Sequence, residues 1–182
     1  MGSLTAGTNP LQFQRAIAFV DGTNLHHRLR TAKFKIKSLR DILAIYVGGR
    51  QLLRANFYTI KKWRDAAIEW NGDMFLSGMR VVLGEGIPTG DGNEREKGVD
   101  ALLVADLIYN AAMKNIDYAL LLSADLDFAY AIRRVEDFGC RTGVMSLLVS
   151  APEGLRVACD DYIELDTAAL LRLGVGGADV PG

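Results

Sequence analysis

Apolar residues in this chain fall into short, nearly uninterrupted runs, separated by turn-forming residues and by stretches of helical periodicity. Ala16-Ile17-Ala18-Phe19-Val20 is closed by Asp21-Gly22-Thr23-Asn24, the pattern of a strand buried on both faces that runs into a turn and a helix start. The spacing predicts a helix over 24–34, a second over 38–46 capped by Ser38 and stopped by Gly48-Gly49, and a strand over 55–60. A helix over 64–76 and a strand over 79–83 follow. The next stretch, 84–97, is rich in glycine and is the segment expected to move most.

Leu102, Leu103, Leu107, Ile108 and Ala111 recur at helical spacing over 99–114, and 118–122 reads as a fourth strand ending in Ser123-Ala124-Asp125-Leu126-Asp127. Beyond it the pattern predicts a helix over 128–138 closed by Gly139, a strand over 142–148, a short helix over 152–159, a sixth strand over 162–165 and a helical turn or two over 167–173. Residues 1–14 and 174–182 are expected to be flexible ends around a single domain over 15–173. Strands of this kind, alternating with helices, belong to an α/β fold with a mainly parallel sheet of five or six strands covered on both faces. Right-handed crossovers put every strand's carboxyl end on one edge, and ligands bind there, where the strand order reverses.

The 182 residues, 49% apolar and 24% charged, have the composition of an ordinary globular protein. Two cysteines cannot build a disulfide framework, no run reaches the roughly 18 apolar residues of a membrane span, and 1–14 lacks the features of a signal peptide. A cytoplasmic protein that does not enter the membrane is expected. The net charge of −1 hides an asymmetry. Residues 1–64 hold twelve of the 21 Lys and Arg against only Asp21 and Asp41, while the other nine basic residues share the remaining chain with twenty acids. Such a split suits one surface for a polyanion and another for a partner.

Two predicted strand ends carry acids directly, Asp21 after the first strand and Asp125 with Asp127 after the fourth, and Asp100 lies in the first turn of the helix after the glycine-rich stretch. With the first and fourth strands adjacent, these carboxylates share one small volume. Two unit charges about 4 Å apart repel by roughly 4 kcal/mol at an effective dielectric near 20. A divalent cation relieves this, and all-oxygen ligands without Cys or His favour Mg²⁺ or Mn²⁺ over Zn²⁺. The plainer alternative is that each Asp serves a helix start as a cap or dipole partner. Asp106, six residues beyond Asp100 and about 240° around the helix, falls outside the cluster.

The segments Phe19-Val20-Asp21-Gly22-Thr23-Asn24-Leu25, Lys97-Gly98-Val99-Asp100 and Leu122-Ser123-Ala124-Asp125-Leu126-Asp127-Phe128 resemble, in order and spacing over about 15–165, the NYN group of PIN-like ribonucleases, including the LabA-like bacterial proteins. The resemblance implies a PIN-like three-layer α/β/α sandwich and a metal-dependent endoribonuclease. It implies metal-binding carboxylates at Asp21, Asp100 and Asp125, supported by Asn24, Ser123 and Asp127. Ala124 and Leu126 depart from the family's common Ser-Gly-Asp-Ser-Asp without removing a carboxylate.

The segment 28–40 holds six basic residues and no acid, among them Arg28, Lys33, Lys35 and Lys37, and Lys61-Lys62-Trp63 follows the second predicted strand on the same sheet edge. Basic side chains with a Trp able to stack a base suit single-stranded RNA. His26 and His27 read as a pair on the wet side of a helix. Two other functions compete: an interaction module for RNA, a protein partner or a second copy of the chain, and a haloacid-dehalogenase-like phosphatase using Asp125-Leu126-Asp127. That family, however, carries its Asp-x-Asp after the first strand.

Overall fold

The computed structural model describes residues 10–89 and 94–178. The first strand, β1 (Arg15–Asp21), is buried along all but its first residue and leads directly into α1 (Gly22–Thr31). Then come β2 (Phe34–Ile36), α2 (Leu39–Tyr46), β3 (Gln51–Thr59), α3 (Lys61–Asn71) and β4 (Arg80–Leu83). A hairpin of β5 (Glu85–Pro88) and β6 (Glu94–Lys97) precedes α4 (Val99–Ala112) and β7 (Tyr118–Leu122). The chain finishes with α5 (Ala129–Glu136), β8 (Arg141–Leu147), α6 (Glu153–Arg156), β9 (Asp161–Leu165), α7 (Thr167–Arg172) and β10 (Gly176–Ala178).

Six strands form one sheet in the order β4-β3-β1-β7-β8-β9, and every neighbouring pair is parallel. The order reverses between β1 and β7, so the switch point lies between the strands that carry Asp21 and Ser123. Alternate residues of β1 divide the core. Ala16, Ala18 and Val20 pack with Leu25, Leu29, Ile42 and Phe57 on one face, while Ile17 and Phe19 pack with Leu103, Leu107, Ile132 and Leu155 on the other. A sheet clothed on both faces explains why β7, Tyr-Ala-Leu-Leu-Leu, is buried at every position. The result is a three-layer α/β/α sandwich around a parallel sheet, the architecture that the resemblance implies. Among the described residues, no helix is long and apolar enough to cross a membrane, and Cys140 and Cys159 are both free.

Several boundaries differ from the periodicity. The helix expected over 24–34 starts at Gly22 and ends at Thr31, because Lys33 turns the chain through a positive φ of 49° and Phe34 and Ile36 become the buried positions of β2. That strand pairs antiparallel with β10, so Gly176–Ala178, expected as part of a loose end, is a strand held by a distant partner. The glycine-rich stretch is not simply a turn: Glu85↔Lys97 through Pro88↔Glu94 are paired. At the other end, Pro10–Phe13 forms a 3-10 turn. The expectations for residues 1–9, 90–93 and 179–182 lie outside the described residues.

Candidate active site

The parallel register of β1 and β7 builds the site. Val20 pairs with Leu122, so the next residues along, Asp21 and Ser123, stand opposite one another at the carboxyl edge of the sheet. Ser123 Oγ donates to Asp21 Oδ2 at 3.0 Å, and the Asn24 backbone N–H donates to Oδ1 at 3.1 Å. Asp21 therefore does cap α1, in line with the plainer alternative, and is buried at the switch point as well. Only 5% of it is exposed. Burial pushes its carboxyl up to about 6, against the pull of the two hydrogen bonds, and the charges of Asp100 and Glu96 push in the same direction.

Gly22 makes this placement possible. A Cβ there would overlap the Phe57 ring and lie 2.7 Å from the Tyr58 carbonyl oxygen, so only glycine lets α1 start this close to β3. On the opposite wall, Ser123 Oγ also accepts from the Asp125 N–H at 3.1 Å, and Asp125 Oδ1 caps the following turn by accepting from the Asp127 N–H at 3.0 Å. One hydroxyl thus ties the first and third motifs together.

The second motif arrives on α4. Gly98, at φ +79°, turns the chain out of β6 so that Asp100 sits in the helix's first turn. Partial desolvation raises the Asp100 carboxyl, and the charges of Asp125 and Asp127 add to it. Glu96, on β6, is also raised, by desolvation first and by Asp100 second. It accepts from Thr23 Oγ1, which in turn meets Thr59 Oγ1 at 3.0 Å. Five acids consequently share one field: Asp21, Glu96, Asp100, Asp125 and Asp127. No Lys or Arg forms an ion pair with any of them among the described residues. Glu96, Thr23 and Thr59 do not stand out in the sequence. The only hint is Glu96's place next to the Lys97-Gly98-Val99-Asp100 motif, since what recruits it is the pairing of β6 with β5.

As the side chains stand, no three of these acids are gathered into a metal-ion site among the described residues. The donor set nevertheless fits a hard dication: it is all oxygen, negatively charged, and without an ion-pair partner among the described residues. Asp100 is exposed and Asp125 half-buried, so both carboxylates meet solvent at the sheet edge.

The other candidates separate into near and far. Arg28 lies one turn along α1 and its Nε donates to Asn24 Oδ1. Lys61, Lys62 and Trp63 begin α3, directly after β3 and next to β1's edge; Lys61 pairs with Asp65 and the Lys62 ammonium lies 5.1 Å from the Trp63 ring. Lys33, Lys35 and Lys37 lie past the far end of α1, about 15 Å along its ten residues. Lys35 covers the Trp70 ring there, at 4.9 Å. His26 and His27 are not both on the wet side. His26 is 5% exposed, packs against Trp63 with ring centroids 5.7 Å apart, and is pushed down by burial to about 4, so it is neutral at pH 7. Asp106 is structural, as its helical angle implies: it accepts from the buried Tyr58 hydroxyl at 2.8 Å.

Comparison with known proteins bears on the same elements. The family model described as "NYN domain" matches residues 15–166, a span that includes all three motifs. No curated protein matches the chain. Five chains of solved structure do match. Among them is the crystal structure of a protein of unknown function from Vibrio parahaemolyticus, 17% identical, with a TM-score of 0.66 over 88% of this chain and 98% of that one. At that identity the likeness speaks for the fold.

Proposed function

The chain belongs to the NYN domain family, whose fold is that of PIN-like nucleases, and on that premise we propose that it is a metal-dependent endoribonuclease acting on single-stranded RNA. The observation that carries this reading is the set of five acids at the β1/β7 switch point, with Asp21 buried and no basic partner among the described residues. Asp21, Asp100 and Asp125 would hold Mg²⁺ or Mn²⁺, and Asp127 and Glu96 lie within the same field. When bound, such a cation neutralises charge on the scissile phosphate and lowers the pKa of a coordinated water.

The chain's own residues do the rest. Ser123 and the Asn24 N–H hold the Asp21 carboxylate in one orientation, and Ser123 also fixes the backbone that presents Asp125. The Asn24 side chain holds Arg28 through its Nε, one helical turn along α1 from Asn24, where its guanidinium can meet the approaching RNA. Lys61, Lys62 and Trp63 extend the same edge toward the next nucleotides. Attack by water in line with the leaving oxygen yields a 5′-phosphate and a 3′-hydroxyl. The domain doing this spans 15–173. The phosphatase alternative is set aside, because Asp125-Leu126-Asp127 follows β7 and the family match runs through it.

The test is incubation with single-stranded RNA, duplex RNA and single-stranded DNA, each with Mg²⁺, Mn²⁺ or EDTA. Internal cuts in single-stranded RNA that need metal, and that vanish in folded Asp21→Asn, are expected. Cutting that persists in EDTA refutes the metal mechanism. RNA or protein capture without any cutting favours the interaction module.

A further inference from the structure

A groove of about 550 Å³ opens directly beside Asn24, with His27, Arg28 and Ala32 of α1 and its C-cap on one wall and Leu148 and Val149, just after β8, on the other. Its size falls within the range of small-molecule sites, roughly 300–1,000 Å³. Three features distinguish it from an ordinary surface cleft. Among the described residues no acid lines it, although the neighbouring cleft is made of acids. Arg28 is anchored through Nε to Asn24, and neither of its Nη groups has a protein acceptor among the described residues. Leu148 stands at φ +63°, in the left-handed region that favours glycine, and is held there by its N–H donating to Leu165 O at 2.8 Å. Strain of this kind gathers at ligand sites.

We propose that this groove is the base subsite for the nucleotide adjoining the scissile phosphate, and that it prefers guanine. The inference rests on the ribonuclease reading and deepens it. Apolar Ala32, Leu148 and Val149 offer a face for a flat ring, and unstacked bases are the parts of single-stranded RNA that proteins read. Two free Nη donors on a guanidinium fixed in place match the paired O6 and N7 acceptors of guanine. Because Asn24 links Arg28 to the Asp21 cap, a base seated in the groove is tied to the position of the acids.

The experiment needs no cleavage. Guanosine, adenosine, cytidine and uridine 5′-monophosphates, with ribose 5-phosphate as the base-free control, are titrated to about 10 mM into the metal-free protein while its backbone amides are followed by NMR. The expected result is saturable movement at Ala32, Leu148 and Val149, tightest for the guanosine nucleotide, absent for ribose 5-phosphate, and weakened at least fivefold in Ala32→Trp, which fills the groove from an exposed position. No movement at these amides, equal movement with ribose 5-phosphate, or equal affinity for all four bases overturns the proposal. The control ligand keeps the test decisive even where the Trp variant does not fold. Guanosine-selective movement at the groove in a protein that leaves RNA uncut refutes the nuclease reading, and with it the place beside a scissile phosphate, while supporting the groove's preference for guanine. Cutting of RNA with none of these amides responding does the opposite.

Discussion

Asp21→Asn should make the metal-free protein more stable at alkaline pH, even though it removes the residue most central to the site. Asp21 is buried, and its carboxyl is raised to about 6 from the 3.8 of an unperturbed Asp. A raised acid binds its proton more tightly in the folded than in the unfolded chain, so stability falls as pH rises between about 4 and 6.5 and the loss is complete above that window. The difference corresponds to about 3 kcal/mol of destabilisation at about pH 8, of which about half remains at about pH 5. Asn keeps the shape and still accepts from the Asn24 N–H, while Ser123 can turn its hydroxyl to accept from the amide. Weaker, uncharged hydrogen bonds cost about 1 kcal/mol of the gain. The variant should therefore melt about 2 kcal/mol more stable at alkaline pH, roughly 4–8 °C for a chain of this length, and nearly level with wild type at about pH 5. Thermal melts of both proteins in EDTA across this pH range measure it, and repeating them with Mg²⁺ should stabilise the wild type more than the variant. A variant less stable at every pH, or a difference that does not change with pH, would refute the argument from burial and leave Asp21 as a helix cap alone.

Gly22→Ala should destabilise by about 1–3 kcal/mol and move the start of α1, because its Cβ meets the Phe57 ring and the Tyr58 carbonyl; denaturant unfolding reads the first effect and loss of cleavage the second. Ser123→Ala removes a hydrogen bond that stabilises the ionised Asp21, so carbon-detected NMR titration should find that carboxyl still further above 6, and activity should require a higher pH. Replacing Lys33, Lys35 and Lys37 together by Ala should weaken RNA binding and flatten the dependence of log affinity on log salt by up to about 2 if all three neutralise phosphates. An unchanged slope would confine binding to the near end of α1, with Arg28, Lys61 and Lys62.

Local pattern alone was enough to locate β7 to the residue and to place Asp21 and the Asp125 pair at strand ends, because a strand buried on both faces must be apolar throughout and must stop where polar residues begin. It also located the cap at Ser38 and the helical turn that keeps Asp106 away from Asp100. What it missed depends on partners far away in the chain. β2 exists only because Gly176–Ala178 lies beside it, and the first half of β3 has too many exposed residues to show an apolar run, yet Gln51 and Leu52 pair with β1. The chemistry of the site divides in the same way. That acids stand at the sheet edge follows from the order of residues, but the burial that raises Asp21 follows from the β1/β7 register that sets it against Ser123, 102 residues away. Glu96 joins the acids because a hairpin brings it to Thr23, 73 residues distant. His26 is dry rather than wet because α3 lays Trp63 across it. Periodicity reports which face of an element is apolar. Which neighbour covers that face, and so which polar group loses its water, is decided only when the layers pack.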